Sequence, residues 1–195
     1  MKKFVTFEGI DGSGKSTISK MVYEKLREKN KKIILTIEPT DSWYGRKVQK
    51  SIQKKTDPYV TTFAFIADRV DHCKKIDKWL EEGFIVLCDR YAESTYAYQG
   101  AQIEGEIKNP LKWLKDLSKD VILIPDRTYF FKIKPEEAIS RIQDRDDLIP
   151  FEKKSFLEKV HENYLKLCKG DRFITLDATK YPEELVDICV DDILS

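Results

Sequence analysis

Three glycines in six residues, Gly9, Gly12 and Gly14, run directly into Lys15, Ser16 and Thr17. No other feature restricts the fold of this chain as much. Gly9, Gly14, Lys15 and Ser16 satisfy the spacing G-x-x-x-x-G-K-[ST], with Ile10, Asp11 and Ser13 filling the loop. Glycines let consecutive backbone N–H groups turn inward and form a concavity for anions. A helix opening near Lys15 would add its unpaired N–H groups and the positive end of its dipole. Lys15 supplies a mobile positive charge, and the Ser16 hydroxyl suits a Mg²⁺ ligand. A purely structural glycine turn could match the same spacing. The strand pattern before it and the helical pattern after it favour a phosphate cradle over Gly9–Thr17.

The remaining pattern fits such a loop. Strand-like runs fall at Lys3–Glu8, Ile33–Ile37, Phe84–Cys88, Thr128–Ile133 and Phe173–Leu176. Their apolar, partly β-branched character is that of buried parallel strands. Helical spacing covers Lys15–Lys29, Tyr59–Glu82, Glu93–Gln102, Pro110–Ser118, Pro135–Gln143, Glu152–Cys168 and Pro182–Leu194. Val121–Pro125 is open to two readings, an extra strand or a buried loop. Alternation of this kind predicts an α/β fold: a three-layer sandwich with a five-stranded parallel sheet and helices on both faces. Ligands then bind at the carboxyl ends of the strands.

Length and charge narrow the function. At 195 residues the chain is read as one domain, 1–195. Lys and Arg number 35 against 34 Asp and Glu, so no global basic field exists to hold nucleic acid. With no apolar run of membrane-spanning length and no signal-peptide core, a cytoplasmic location and no membrane partner are expected. Cys73, Cys88, Cys168 and Cys189 are scattered, and His72 and His161 stand far apart, so zinc-ligand spacing is absent. Reduced, semi-buried thiols and chemically silent histidines are expected.

A second site follows the third strand. Asp89 falls at the end of a buried run, where a nucleoside triphosphatase keeps a carboxylate near Mg²⁺. The guanidinium of Arg90 beside it suits bidentate phosphate binding. An ion pair capping the strand is the structural alternative.

Together, FEGIDGSGKST, FAFIADR and DRYAESTYAYQG resemble the thymidylate kinase family, a branch of the nucleoside monophosphate kinases, over nearly the whole chain. The resemblance implies ATP and dTMP as substrates, Mg²⁺ as cofactor, dTDP as product and a homodimer. It implies Phe65 as the ring stacked on thymine and Arg69 as the base's hydrogen-bond donor. Arg90 resembles the clamp on the monophosphate, and Thr95 the position near N3 of the base. Tyr98 and Gln99 resemble residues lining sugar and base, with the tyrosine crowding a ribose 2′-hydroxyl. Asp11 resembles the carboxylate that reaches the acceptor's 3′-hydroxyl or its metal. Glu38, with Pro39, matches the acidic loop beside the acceptor. Arg141 falls where the family sets an arginine against adenine, near the Asp177–Thr179 turn, and Arg145 lies in the segment matching a lid, 143–151. Lys15, Asp11, Arg90 and Arg145 are the implied catalytic set, and Ser16 and Asp89 the implied metal site.

Two departures from the family pattern stand out. The lid segment has fewer arginines than many bacterial members, and Gly12 stands where some members carry a P-loop arginine. The charge between donor and acceptor is then expected to be met by Arg145. Competing readings are a kinase for a nucleoside or another monophosphate, a GTP switch and a non-catalytic scaffold. The switch would need Asn-Lys-x-Asp, whereas Asn30–Lys31 is followed by Lys32 and Ile33.

Overall fold

A computed structural model describes residues 2–29, 31–142 and 154–195. The elements run β1 (Lys3–Glu8), α1 (Lys15–Glu28), β2 (Ile33–Ile37), α2 (Trp43–Gln53), α3 (Pro58–Glu81), β3 (Ile85–Asp89) and α4 (Ala92–Gln102). They continue with α5 (Pro110–Ser118), β4 (Arg127–Lys132), α6 (Pro135–Ser140), α7 (Lys154–Leu167), β5 (Phe173–Asp177) and α8 (Pro182–Leu194). The five strands form one sheet in the order β2-β3-β1-β4-β5, with every pairing parallel. Helices cover both faces, as expected for a parallel sheet.

Burial on both faces explains the composition of the central strands. Phe4, Val5, Thr6, Phe7 and Glu8 of β1 are all buried. The polar Thr6 is accommodated because its hydroxyl pairs with that of Thr128 on β4 at 2.8 Å. Phe7 packs its ring 5.5 Å from Tyr129 and 6.1 Å from Phe131. Ile18, Val22 and Leu26 give α1 a buried stripe at helical spacing.

Three of the expected helices begin on the predicted proline, at Pro110, Pro135 and Pro182. There the missing N–H costs nothing and φ is already helical. Val121–Pro125 is a loop, not a strand. Between β2 and α3 lies a helix absent from the sequence reading, α2. Ser42 caps it by accepting from the Gly45 N–H at 3.1 Å. The four cysteines are free and buried. The proposed lid segment 143–151, with Arg145, lies outside the described residues.

The order of strands places the two sequence sites side by side. β1 and β3 are hydrogen-bonded neighbours with Phe7 opposite Asp89. The glycine loop leaving β1 and the Asp89–Arg90 step leaving β3 therefore open into the same crevice, at the carboxyl edge of the sheet.

Candidate active site

The glycine loop is shaped by close approach as much as by torsion. Gly12 has φ +85, and a Cβ there would lie 2.2 Å from the Ala138 carbonyl oxygen on α6. Gly14, at φ 83, starts α1, and its carbonyl accepts from the Thr17 and Ile18 N–H groups, both at 3.0 Å. Ser13 Oγ is buried and has no hydrogen-bond partner among the described residues. Ser16 and Thr17 are exposed at the mouth of the loop.

Lys15 is buried under the loop. Its Nζ donates to the Ile10 carbonyl at 3.4 Å and lies 3.8 Å from the Asp11 carboxylate. Burial and the Arg90 charge push its pKa down to about 8. A polyphosphate entering the loop would add negative charge beside this ammonium and favour its protonated form.

Across the crevice, Asp89 is buried at the end of β3, and its Oδ1 has no hydrogen-bond partner among the described residues. Arg90 takes the left-handed φ of 69, uncommon outside glycine. Its N–H donates to the Phe7 carbonyl at 3.0 Å, which ties the turn to β1. Its guanidinium donates to Asp11 and, at 3.3 Å, to Ser94 Oγ, and it lies 5.4 Å from the Tyr98 ring centroid. Tyr98 donates its hydroxyl to the same Asp11 carboxylate at 2.8 Å and accepts from the Asp11 N–H at 3.1 Å. Burial drives the Tyr98 phenol well above its ordinary pKa, so it stays a donor.

Behind this knot sits Glu8, a residue the sequence reading passed over. Glu8 Oε1 accepts from the Tyr91 N–H at 2.8 Å and the Ser94 N–H at 3.3 Å. Glu8 Oε2 accepts from Ser94 Oγ at 2.6 Å and from the Tyr164 hydroxyl of α7 at 3.0 Å. Burial and the nearby Glu93 carboxylate raise its pKa to about 7. Its signal in the sequence was a carboxylate ending a mostly apolar buried strand.

The third group lies between α3 and α4. Arg69 is 1% exposed, so water cannot serve its five N–H donors. Nε donates to Glu38 at 2.8 Å, and Nη2 donates to the Tyr91 carbonyl at 3.0 Å and to Thr95 Oγ at 2.8 Å. Nη1 is buried without a hydrogen-bond partner among the described residues. Phe65 stands one turn earlier on α3, half-buried, and it is not among the rings packed on the core. Gln99 on α4 is buried, with its Oε1 lacking a hydrogen-bond partner among the described residues. Glu38 is buried with both oxygens engaged by α3, one by Arg69 and one by His72, so it touches this region through its partners. His72, read from sequence as silent, is part of this cluster.

At the far side of the loop, Arg141 is exposed and donates from Nη1 to the Ala178 carbonyl at 3.0 Å. Ala178 sits within the Asp177–Thr179 turn, where Asp177 accepts from the Thr179 N–H at 3.0 Å and its hydroxyl at 2.7 Å. The structure thus brings Lys15, Asp11, Arg90, Tyr98 and Asp89 into one crevice. Arg69 on α3 is bonded to Thr95 on α4, with Phe65 one turn before Arg69 and Gln99 one turn after Thr95, and Arg141 is bonded to the Asp177–Thr179 turn.

Residues 7–188 match the family model described as Thymidylate kinase. A "Probable thymidylate kinase" of Methanosarcina barkeri is 42% identical over 196 aligned residues, covering 98% of this chain and 96% of the relative. One from Sulfurisphaera tokodaii is 41% identical over 198, covering 100% and 97%. Another, from Natronomonas pharaonis, is 38% identical over 193, covering 97% and 96%.

Proposed function

The chain belongs to the thymidylate kinase family, and from that premise we propose that it phosphorylates dTMP to dTDP with ATP as donor, in the crevice between β1 and β3. The observation that carries the base assignment is the buried Nη1 of Arg69, without a partner among the described residues and one helical turn from the half-buried ring of Phe65. A stacking face and a free donor meet there, and a base with a carbonyl on that edge satisfies both. A base presenting an amino group would leave the donor orphaned, which costs affinity.

Phosphoryl transfer asks a protein for alignment, charge and exclusion of water rather than for covalent chemistry. The loop Gly9–Thr17 holds the donor's phosphates on its N–H groups, with Lys15 as their counter-charge. Arg141 and the Asp177–Thr179 turn take the adenine side. Arg90 leaves Asp11 and grips the acceptor monophosphate, and Asp11, thus released, faces the acceptor's sugar. Tyr98 and Gln99 close the sugar side, and Thr95 steadies Arg69. Ser16 and Asp89 are proposed to hold Mg²⁺. A buried carboxylate oxygen with no partner and an open hydroxyl fit a hard cation and its waters. That ion would neutralise charge on the transferring group.

A kinase for the free nucleoside would bring Arg90 no anion in place of Asp11. Initial rates on a panel of nucleosides and monophosphates, with Phe65→Ala and Arg69→Lys alongside, test the assignment. Expected are activity on dTMP over thymidine and a raised KM for dTMP in both variants at an unchanged KM for ATP. Equal activity on thymidine, or unchanged KM for dTMP, would overturn it.

A cytoplasmic homodimer is also proposed. No helix among the described residues is long and apolar enough to cross a membrane. Trp43, Tyr44, Val60 and Phe63 are exposed on the consecutive helices α2 and α3, an apolar surface suited to a second copy. A mass of one chain by light scattering at micromolar concentration would refute the dimer.

A further inference from the structure

Four polar groups in series link the edge strand β2 to the free nitrogen of Arg69. Thr36 Oγ lies 2.8 Å from His72 Nε2. His72 Nδ1 lies 2.9 Å from Glu38 Oε1. The other oxygen, Oε2, lies 2.8 Å from both Nε and Nη2 of Arg69. His72 and Arg69 are three residues apart, hence on one face of α3, and each takes one oxygen of the same carboxylate. Exposure is 1% for Arg69, 1% for His72 and 2% for Glu38, so water cannot replace any member.

Donor and acceptor roles follow from that arrangement. Glu38 can only accept, so His72 Nδ1 carries a proton and donates. The Thr36 hydroxyl is then the group that adapts to Nε2. With two oxygens held at two points, the Glu38 carboxylate cannot rotate. Arg69 is fixed in turn at Nε and Nη2, so its remaining nitrogen has one direction left.

We propose that His72 is a positioning residue for base recognition: it locks Glu38, and Glu38 locks Arg69 so that Nη1 points at the nucleobase. The proposal rests on the assignment of Arg69 to the base made above. Cys88 Sγ also lies within 4.8 Å of the Glu38 and His72 ligand atoms, the triangle of a possible metal site. Its thiol instead donates to the Arg90 carbonyl at 3.0 Å, and the Arg69 guanidinium already neutralises Glu38. Hydrogen bonding accounts for all three groups without an ion.

Removing His72 leaves Glu38 Oε1 buried and unpaired. The carboxylate then turns to find another donor, and Arg69 loses its fixed aim. A merely structural histidine would lower stability without singling out one substrate. Steady-state kinetics on His72→Ala, His72→Asn and His72→Gln separate these cases. Asn places an amide N–H near the position of Nδ1 and restores the bond to Glu38, whereas Gln reaches toward Thr36 and does not.

The relay predicts that Ala and Gln raise KM for dTMP about tenfold, the cost of roughly one misplaced hydrogen bond. KM for ATP and kcat stay within about twofold, and Asn returns KM for dTMP most of the way to the parent value. A double-mutant cycle with Arg69→Lys, which keeps the charge on Glu38 but lacks Nη1, completes the test. Once Nη1 is gone, His72→Ala should add almost nothing to KM for dTMP. Additive effects, or an unchanged KM for dTMP in folded His72→Gln, would overturn the relay while Arg69→Lys still weakens dTMP. An Arg69→Lys variant with parental KM for dTMP would instead remove the base assignment, and the relay with it.

Discussion

At Glu8 four donors from three residues converge on a carboxylate that water cannot reach. Desolvation outweighs them and, with Glu93 nearby, lifts the pKa from 4.5 to about 7. The folded state therefore holds this proton more tightly than the unfolded chain does. The resulting stability is complete below about pH 4.5 and is lost as pH rises through about 7. At about 1.4 kcal/mol per pKa unit, the loss is on the order of 3 kcal/mol. Glu8→Gln keeps the shape and cannot ionise. Urea unfolding of parent and variant at pH 5 and pH 8 measures the effect. The variant should lose less stability across that interval, and parallel pH dependence would contradict the assignment. Other residue-scale features were plain in the sequence because they are local: Gly9 to Ser16, and Asp89 beside Arg90. Glu8 was not, since Tyr164 lies 156 positions away.

Among the elements, α4 shows why sequence reading placed a helix but could not rank it. Every residue from Ala92 to Ala101 is buried, with α3, α5 and α7 packed around it. Small residues, Ala92, Ala97, Gly100 and Ala101, admit these neighbours, while Ser94, Thr95, Tyr98 and Gln99 carry polar atoms inward. A helix buried all round has no apolar stripe to read. The opposite failure occurred at α2, whose short stretch WYGRKVQKSIQ begins with two aromatics and a glycine. That glycine is required by contact: a Cβ on Gly45 would lie 1.9 Å from the Thr40 carbonyl oxygen. Thr40 is in turn bonded through its N–H and hydroxyl to Asp68, the neighbour of Arg69. Gly45→Ala should therefore cost at least about 1–3 kcal/mol, the usual range for overpacking, and raise KM for dTMP as the Thr40 loop shifts. Chemical denaturation with kinetics on the same sample checks both; a neutral substitution would mean that α2 can slide away freely.

For the molecule as a whole, stability and catalysis sit at opposite ends of the strands. Lys3, at the start of β1, donates to the Asp192 and Ile193 carbonyls of α8 at 3.2 and 3.1 Å. Arg127, opening β4, pairs with Asp192 at 3.0 Å. Ile193 is fully buried there. Ile193→Ala should cost about 2–5 kcal/mol and leave both KM values unchanged at a temperature where the variant is folded. A shift in either KM would show that the two ends communicate. The site end meets a different demand, because a cell is full of small free anions. Arg90 is already neutralised by Asp11, and Tyr98 holds that carboxylate in place. A lone inorganic phosphate must compete with this built-in counter-ion and has nothing else to offer. Under the proposed assignment a nucleotide would bring its base to Phe65 and Arg69 as well, and so gain enough to displace Asp11. Asp11→Asn should thus let inorganic phosphate inhibit at lower concentration against dTMP, and an unchanged inhibition constant would refute the idea. On that assignment the resting enzyme would be a filter that ordinary salts leave open, its occupancy reserved for whole nucleotides.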